Sequence, residues 1–204
     1  MKIICIGQNY RLHCLELGHK IPEEPVFFMK PDTALHRNND PFYLPDFSRD
    51  LHYEMELVVR INRVGKCIEE RFAHRYYNEV GLGVDFTARD IQHKQSAAGL
   101  PWEAAKSFDH SAAISPEFIP IEQIENIQSL RFKCNLNGQT VQNGDCSDMI
   151  FTVDKLISYV SRFVTLKIGD LLFTGTPAGV GALKVGDQLE GILEDRKLID
   201  IEIR

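Results

Sequence analysis

Several features are scarce in this 204-residue sequence, and each scarcity excludes a class of protein. No apolar run approaches the roughly 18 residues that a membrane-spanning helix requires, so we expect no membrane partner. The first seven residues are too short an apolar run for a signal peptide and are followed by no cleavage-site pattern. Positive charge is also scarce. The net charge of −6 argues against nucleic acid, whose phosphates call for a basic surface.

Several familiar site signatures are missing as well. The five cysteines are odd in number and include no Cys-x-x-Cys pair, which disfavours a disulfide framework or a zinc ribbon. We therefore expect reduced thiols and a cytoplasmic protein. The absence of Gly-x-Ser-x-Gly argues against a serine hydrolase, and the absence of His-x-His against a cupin-type metal site. Residues 175–181 are rich in glycine but lack the lysine of a phosphate-binding loop.

What is present is the composition of an ordinary globular protein, with 44% apolar and 25% charged residues. No low-complexity linker and no repeat of 20 to 50 residues divides the chain, so we expect a single catalytic domain over residues 1–204. The predicted strands are residues 2–6, 52–61 and 81–86, the hairpin 131–141 turning at Asn137-Gly138, and the strands after the similar turns 167–170 and 184–187.

The helices are predicted to be few and short. Residues 10–17, stopped by Gly18, and residues 152–163 have helical patterns. Thr87 with Asp90 resembles a capping box that starts another helix. Residues 21–31 contain three prolines, so any strand there is short or at an edge. Many strands and few helices favour a mostly antiparallel α+β or β-roll domain over a doubly wound parallel sheet.

The predicted strand at residues 52–61 carries the first candidate site. Glu54 and Glu56, at positions i and i+2, project from one face, and Val58 continues that face. Such a pair alone is more typical of a solvated strand. Asp85, however, ends a second apolar strand, and carboxylates packed together are unfavourable unless protons or a cation intervene. Three hard oxygen donors suit Mg²⁺ or Mn²⁺, so we predict a metal site at these residues.

A second candidate lies on the first predicted helix. His13 and Glu16, three residues apart, are neighbours on a helix, so the carboxylate can hold and polarise the imidazole. Such a pair can act as a general base towards water. Most His-x-x-Glu pairs are ordinary exposed pairs, however, and the spacing leaves both interpretations open. Lys106 is similarly either a cation for a substrate anion or an ordinary surface lysine.

Several short motifs, taken together and in one order, resemble the fumarylacetoacetate hydrolase family. They lie at residues 7–13 with Glu16, 28–31, 52–57, 85–92, 100–108, 174–177 and 179–181. The resemblance extends over nearly the whole chain, and the ordered set is far more specific than any one motif. The length of the chain and residues 100–108 look most like the acylpyruvase branch, which is related to bifunctional acylpyruvate hydrolases and oxaloacetate decarboxylases.

The resemblance implies a fold and a set of roles. The fold would be α+β and mostly β, a mixed β-sandwich roll with few short helices, and the protein would be a homodimer. Glu54, Glu56 and Asp85 would ligate Mg²⁺ or Mn²⁺, and His13 with Glu16 would form a catalytic dyad on a lid segment. The other polar site residues would be Lys106 and Gln92, with Arg89 and Thr176 as substrate contacts or supporting groups.

Two segments depart from the family pattern. Gln8 stands where many members have Arg, which changes the charge at the rim of the site. Residues 109–114, after Phe108, lack the Gly-Pro ending that is common in the wider family. Both departures bear on which substrate fits.

From these roles we predict metal-dependent hydrolysis of a C–C bond in an acylpyruvate-type 2,4-dioxo acid, with release of pyruvate. His13, oriented by Glu16, would activate the water, and the metal with Lys106 would stabilise the pyruvate enolate. A similar enolate arises in oxaloacetate decarboxylation, keto–enol tautomerisation and 2-hydroxyhepta-2,4-diene-1,7-dioate isomerisation, which are therefore alternatives. A non-catalytic dicarboxylate-binding protein would need no such base, and a purely structural β domain would expose its carboxylates.

Overall fold

The computed structural model describes all 204 residues. Its strands are β1 (Ile3–Gly7), β2 (Val26–Lys30), β3 (Leu35–His36), β4 (Leu51–Tyr53), β5 (Met55–Ile61), β6 (Tyr77–Asp85), β7 (Thr87–Ala88), β8 (Ala112–Ile114), β9 (Ile119–Pro120), β10 (Arg131–Leu136), β11 (Gln139–Asp145), β12 (Leu171–Phe173), β13 (Gly181–Ala182), β14 (Gln188–Leu193) and β15 (Arg196–Glu202). Its α-helices are α1 (Arg11–Glu16), α2 (Arg89–Ala97), α3 (Glu103–Lys106) and α4 (Val153–Ser161). Short 3₁₀ turns occupy Asp32–Ala34, Glu70–Arg75, Ile121–Gln123, Ile127–Ser129 and Cys146–Asp148.

A mixed eight-stranded sheet forms the centre of the molecule, in the order β2-β1-β12-β5-β6-β8-β3, with β9 paired to β6. The pairs β1–β12 and β3–β8 are parallel, and every other strand pair is antiparallel. A four-stranded sheet, β11-β10-β14-β15, and a three-stranded sheet, β13-β4-β7, complete the fold. The predicted mostly β, α+β architecture is confirmed. None of the helices combines the length and apolar character that crossing a bilayer requires.

The two faces of β5 are buried differently, as the alternation in the sequence predicts. Met55, Leu57 and Val59 belong to the large core that the four-stranded sheet and α4 cover. Val58 lies on the opposite face, in a smaller core with Phe173. The face that carries Glu56 is therefore enclosed rather than solvated, which fits the interpretation of a site over that of an exposed strand.

Other local predictions are confirmed by their backbone geometry. The hairpin between β10 and β11 turns at Asn137 and Gly138, whose φ angles of 52° and 78° are those of a type I′ turn. Strand β2 lies at the edge of its sheet, as its flanking prolines indicate. Thr152 caps α4, because its side chain accepts a hydrogen bond from the Lys155 N–H.

The prediction of one continuous strand over residues 52–61 is wrong at Glu54. There the chain passes from β4, in the three-stranded sheet, to β5, in the central sheet. The Glu54 carbonyl accepts a 2.8 Å hydrogen bond from the Asp85 N–H, so the break is itself held in place. Local alternation cannot reveal that the two halves have different partners.

The predicted capping box is also wrong. Thr87 lies in β7, and α2 begins after Ala88 without a side-chain cap. The Thr87 hydroxyl donates to the Asp85 carbonyl and accepts from Lys106 Nζ at 2.6 Å, while the Asp90 carboxylate accepts from Ser48 Oγ. Both side chains that the local pattern predicted to cap the helix therefore form hydrogen bonds with other parts of the chain.

The buried face of α4 ends sooner than predicted. The helix ends at Ser161, so Phe163 lies beyond it and is 53% exposed. Its ring packs instead against Phe27, with a centroid distance of 5.7 Å.

Candidate active site

One cavity gathers eight of the nine site residues singled out from the sequence. Its polar lining consists of Gln8, His13, His19, Glu54, Glu56, Asp85, Arg89, Gln92, Lys106 and Thr176, and its other lining residues are Ile6, Gly7, Leu17, Phe28 and Trp102. The ninth residue, Glu16, is not part of the lining, but its carboxylate contacts the His13 ring. We call Glu54, Glu56, Asp85 and the cations Lys30, Lys106 and Arg89 the floor of the cavity. Gln8, His13, Glu16 and His19, on or beside α1, form its mouth.

The three carboxylates of the floor lie together because two neighbouring strands carry them. Met55 of β5 pairs with Val84 of β6, which places Glu54 and Glu56 beside Asp85 at the end of β6. One oxygen from each carboxylate lies within 4.8 Å of the other two. All three are buried, with Glu56 and Asp85 each only 1% exposed. The structure thus places three hard oxygen donors at one point.

Three cations surround two of these carboxylates. Lys106 Nζ lies 2.8 Å from Glu54 Oε2 and 2.9 Å from Asp85 Oδ2, so its three N–H donors are taken by these carboxylates and by the Thr87 hydroxyl. Lys30 Nζ lies 2.8 Å from Asp85 Oδ1, and Arg89 pairs with Glu54. Glu56, by contrast, accepts a 2.7 Å hydrogen bond from the Gly175 N–H and contacts no cation.

Because the cations lie beside Glu54 and not beside Glu56, the pKa values of these two carboxyls shift in opposite directions. Burial favours the neutral form of Glu54, but the charges of Lys106 and Arg89 outweigh burial and hold its pKa well below the usual range. Burial raises the pKa of Glu56 well above its usual value, and the negative charges of Asp85 and Glu54 raise it further. Burial also disfavours the Lys106 ammonium, yet Asp85 and Glu54 raise its pKa.

The floor fits a divalent cation by the chemistry of its donors. Glu56 has no positive partner, and Asp85 Oδ1 is a buried oxygen that accepts no well-aligned hydrogen bond although Lys30 Nζ is 2.8 Å away. Carboxylate oxygens are the ligands that Mg²⁺ and Mn²⁺ prefer, usually alongside water and substrate. A cation among the three oxygens would offset the repulsion that raises the Glu56 pKa.

The geometry of the mouth favours the dyad interpretation of His13 and Glu16. His13 is only 5% exposed, and its Nδ1 lies 3.2 Å from Glu16 Oε2, so the two are not an ordinary exposed helix pair. A carboxylate only accepts, so His13 Nδ1 carries a proton, and in the neutral imidazole Nε2 keeps its lone pair. The second oxygen of Glu16 accepts from the Gly179 N–H at 3.0 Å, which fixes the carboxylate.

The remaining predicted site residues, Thr176, Arg89 and Gln92, differ in how many polar atoms are free to bind a ligand. The Thr176 hydroxyl donates to the Met55 carbonyl and accepts from Gln142 Nε2, both at 2.8 Å, so the protein already satisfies it. Arg89 is held by Glu54 and, through Nη1, by Gln92 Oε1 at 2.5 Å. The amide nitrogen of Gln92 has no protein partner and lines the cavity. Gln92 is thus the freest of these groups to contact a ligand.

Three contributors were not assigned from the sequence. Lys30, inside one of the family-like motifs, is buried and donates to the Ser111 carbonyl at 2.9 Å besides pairing with Asp85. The N–H groups of Gly175 and Gly179 hold Glu56 and Glu16. Both glycines have φ near +100°, a conformation that favours glycine. The signal available in the sequence was the glycine-rich stretch at residues 175–181.

The comparisons with known proteins agree with this geometry. Residues 2–204 match the family described as fumarylacetoacetate (FAA) hydrolase C-terminal. The chain belongs to this family. It is similar to the rat oxaloacetate tautomerase FAHD1, mitochondrial, with 43% identity over 92% of this chain and 85% of the relative. It is also similar to oxaloacetate tautomerase YcgM of Escherichia coli K12, with 41% identity over 92% of this chain and 86% of that one.

A solved family structure is similar over the whole chain. Fumarylpyruvate hydrolase from Pseudomonas aeruginosa, in complex with Mn²⁺ and pyruvate, is 33% identical, with a TM-score of 0.94. The match covers 100% of this chain and 89% of that structure. The fold prediction and the family resemblance are therefore confirmed, and these relatives are enzymes, named as oxaloacetate tautomerases and a fumarylpyruvate hydrolase.

Proposed function

We propose that this protein catalyses the keto–enol tautomerisation of oxaloacetate, with Mg²⁺ or Mn²⁺ held by Glu54, Glu56 and Asp85. The observation that carries the proposal is a single cavity in which a buried His13, with a free Nε2, faces three clustered carboxylates. Two relatives more than 40% identical to this chain are named oxaloacetate tautomerases, whereas the fumarylpyruvate hydrolase is 33% identical. Tautomerisation therefore takes precedence over the acylpyruvate hydrolysis predicted from the sequence.

The chemistry requires moving one proton between carbon and oxygen. A divalent cation at the floor would supply positive charge beside the substrate's carboxylate and 2-oxo group, which acidifies the C3 protons. His13 Nε2 takes a C3 proton and returns it to the enolate oxygen, or the reverse. Glu16 keeps the Nδ1 proton in place during both steps, and the Gln92 amide donates to the substrate.

Other residues preorganise the site. Phe28 and Trp102 line the cavity, with ring centroids 6.0 Å apart, and exclude water from the reacting atoms. Lys106, with its three donors taken, holds Glu54 and Asp85 in position. Contact between Lys106 and an enolate oxygen requires the release of one of these partners.

Acylpyruvate hydrolysis is the second candidate. A histidine base oriented by a carboxylate can activate water as well as a C–H bond, and the P. aeruginosa structure containing Mn²⁺ and pyruvate is that of a hydrolase. Both activities use the same floor and the same dyad. A homodimer, which the resemblance implies, stays a prediction.

The test measures two products separately. The protein is mixed with oxaloacetate, acetylpyruvate or fumarylpyruvate in the presence of Mg²⁺, Mn²⁺ or EDTA, and both enol absorbance and pyruvate release are followed. The proposal predicts a metal-dependent acceleration of keto–enol exchange in oxaloacetate over the same mixture without protein, and no pyruvate release beyond that of the protein-free mixture. Faster release of pyruvate from an acylpyruvate would establish the hydrolase instead. No metal-dependent change with any substrate would contradict both.

A further inference from the structure

Gln8 and His19 meet at the mouth of the cavity and have no part in the proton transfer. Gln8 follows β1 with a φ of +60°, and its carbonyl accepts a 3.4 Å hydrogen bond from Cys14 Sγ on α1. His19 follows α1, where its N–H donates to the Cys14 carbonyl at 2.8 Å. Cys14 thus ties both residues to the same helix. Their side chains meet with Gln8 Nε2 3.1 Å from His19 Nδ1.

The chemistry of this contact fixes the form of the imidazole. An amide nitrogen only donates, so His19 Nδ1 accepts and the ring proton lies on Nε2. The neutral ring agrees with its surroundings, because partial burial lowers the pKa of His19 and the charges of His13, Arg89 and His93 lower it further. The second amide hydrogen of Gln8 and the Nε2–H of His19 have no protein acceptor. Two adjacent N–H donors are therefore left at the mouth.

The surroundings of these donors favour an anion. The only acid of the mouth is Glu16, whose two oxygens are already committed to His13 and to the Gly179 N–H. The other acids of the lining are the carboxylates of the floor. A carboxylate matches such a pair, because hydrogen bonds to an ionised acceptor are stronger than neutral ones.

We propose that Gln8 and His19 form a subsite for the second carboxylate of a dicarboxylic 2-oxo acid. This assignment rests on the proposed function, in which the first carboxylate and the 2-oxo group face the floor. The subsite selects substrates by terminal charge. It favours oxaloacetate over a 2-oxo acid that ends in a neutral acyl group.

Binding can be tested without turnover. Trp102 is the only tryptophan and lines the cavity, so its fluorescence reports on occupancy. One probe is 3,3-difluoro-oxaloacetate, which has no C3 proton and does not enolise, and the other is pyruvate, which lacks the second carboxylate. Both are titrated with Mg²⁺ present into the wild type, Gln8→Leu, Gln8→Glu and His19→Leu. Lys20→Gln, which removes an exposed charge next to His19, is the matched control.

The expected result is a change in the ratio of the two dissociation constants. Gln8→Leu and His19→Leu weaken difluoro-oxaloacetate binding about tenfold, as the loss of one hydrogen bond to a charged group implies. Gln8→Glu weakens it further, because like charges then face each other. Pyruvate binding changes less than about twofold in each variant, and Lys20→Gln changes neither ligand. His19→Leu, at an exposed position, keeps the test valid if substitutions at the strained Gln8 backbone impair folding.

The outcomes separate the subsite from the proposed reaction. An unchanged ratio in His19→Leu and in every folded Gln8 variant overturns the subsite, even if the wild type tautomerises oxaloacetate. Equal weakening of both ligands also overturns it, as does a wild type that binds neither. A wild type that catalyses no tautomerisation, with variants that lose the dicarboxylate preference, supports the subsite and rejects the reaction.

Discussion

The floor and the mouth of the cavity hold their polar side chains in opposite ways. The floor stands at the ends of the neighbouring strands β5 and β6. Its three carboxylates are buried, Lys106 bridges Glu54 and Asp85, and Lys30 also pairs with Asp85. The mouth stands on a helix of six residues and is held by single hydrogen bonds, such as that from the Gly179 N–H to Glu16. A helix that short has little stability of its own.

We therefore expect substitutions in the floor and in the mouth to affect different properties of the molecule. A change in the floor alters buried charges, so it should affect both metal binding and the stability of the fold. A change in the mouth should affect turnover or substrate preference while the fold and the metal site persist.

The largest effect is expected for Glu54→Gln. This substitution removes the carboxylate shared by Arg89 and Lys106 and leaves Arg89 buried without its charged partner. Removing one partner of a buried ion pair costs about 3–5 kcal/mol. Urea unfolding in EDTA should show a loss of this order. Glu69→Gln, whose ion pair with Arg71 is exposed, is the control and should change the unfolding free energy by less than about 1 kcal/mol. An equally small effect of Glu54→Gln would contradict a charge-dependent floor.

His13→Gln should affect turnover without affecting metal binding. Loss of a general base typically lowers the rate by about 10²–10⁴-fold. Saturating Mg²⁺ should still raise the melting temperature, by about 2–4 °C for each kcal/mol of binding energy in a chain of this size. Tautomerisation rates and thermal melting, measured in parallel, check both. Loss of the metal-induced shift would place His13 among the ligands instead.

Gly179→Ala tests the support of the dyad. A Cβ at Gly179 would lie 2.1 Å from the Val141 carbonyl oxygen, so the loop must move away and its N–H must leave Glu16. We expect a loss of stability of about 1–3 kcal/mol together with slower turnover. Gly186→Ala is matched in φ, at +93°, but has no atom within 4 Å of the added Cβ. Equal effects of the two substitutions on turnover would show that the Gly179 contact has no catalytic role.

The smallest effect, and the only stabilising one, is expected for Glu56→Gln in EDTA. The pKa of Glu56 is raised in the folded protein above its ordinary value of 4.5, so folding disfavours its ionised form. This penalty is absent below pH 4.5 and grows as the pH rises above that value. The variant should therefore melt higher than the wild type at pH 7, and the difference should vanish towards pH 4. A lower melting temperature at pH 7 would contradict the unmatched charge of Glu56.

The sequence was most informative where spacing alone determines position. The i, i+2 spacing of Glu54 and Glu56 predicted their common face. The alternation along β5 predicted that Met55, Leu57 and Val59 lie opposite Val58, and the structure places these two sets in different cores. The Asn137-Gly138 turn was predicted because few other residues adopt its two positive φ angles. The site residues quoted with the family resemblance lie together, although their individual roles stay predictions.

Long-range contacts account for the predictions that were wrong or missing. Lys30 precedes a proline on an edge strand, and nothing local indicates that its ammonium is buried against Asp85, 55 positions away. Thr87 has the local pattern of a helix cap, but its hydroxyl binds Lys106. The mouth pair Gln8–His19 likewise depends on the turn at Gln8 and on the end of α1.

The most direct test of the central claim is equilibrium binding of Mn²⁺ to the wild type and to Glu56→Gln. Glu56 is the carboxylate that lacks a cation in the protein itself, and the amide of glutamine keeps its shape without its charge. We predict that the wild type binds a single Mn²⁺ per chain. Glu56→Gln, folded and at least as stable, should bind it at least about 100-fold more weakly, because loss of a group that only supports a metal ligand already costs about 10–100-fold. Equal affinity in the two proteins, or no binding by the wild type, would contradict the metal site on which the proposed function depends.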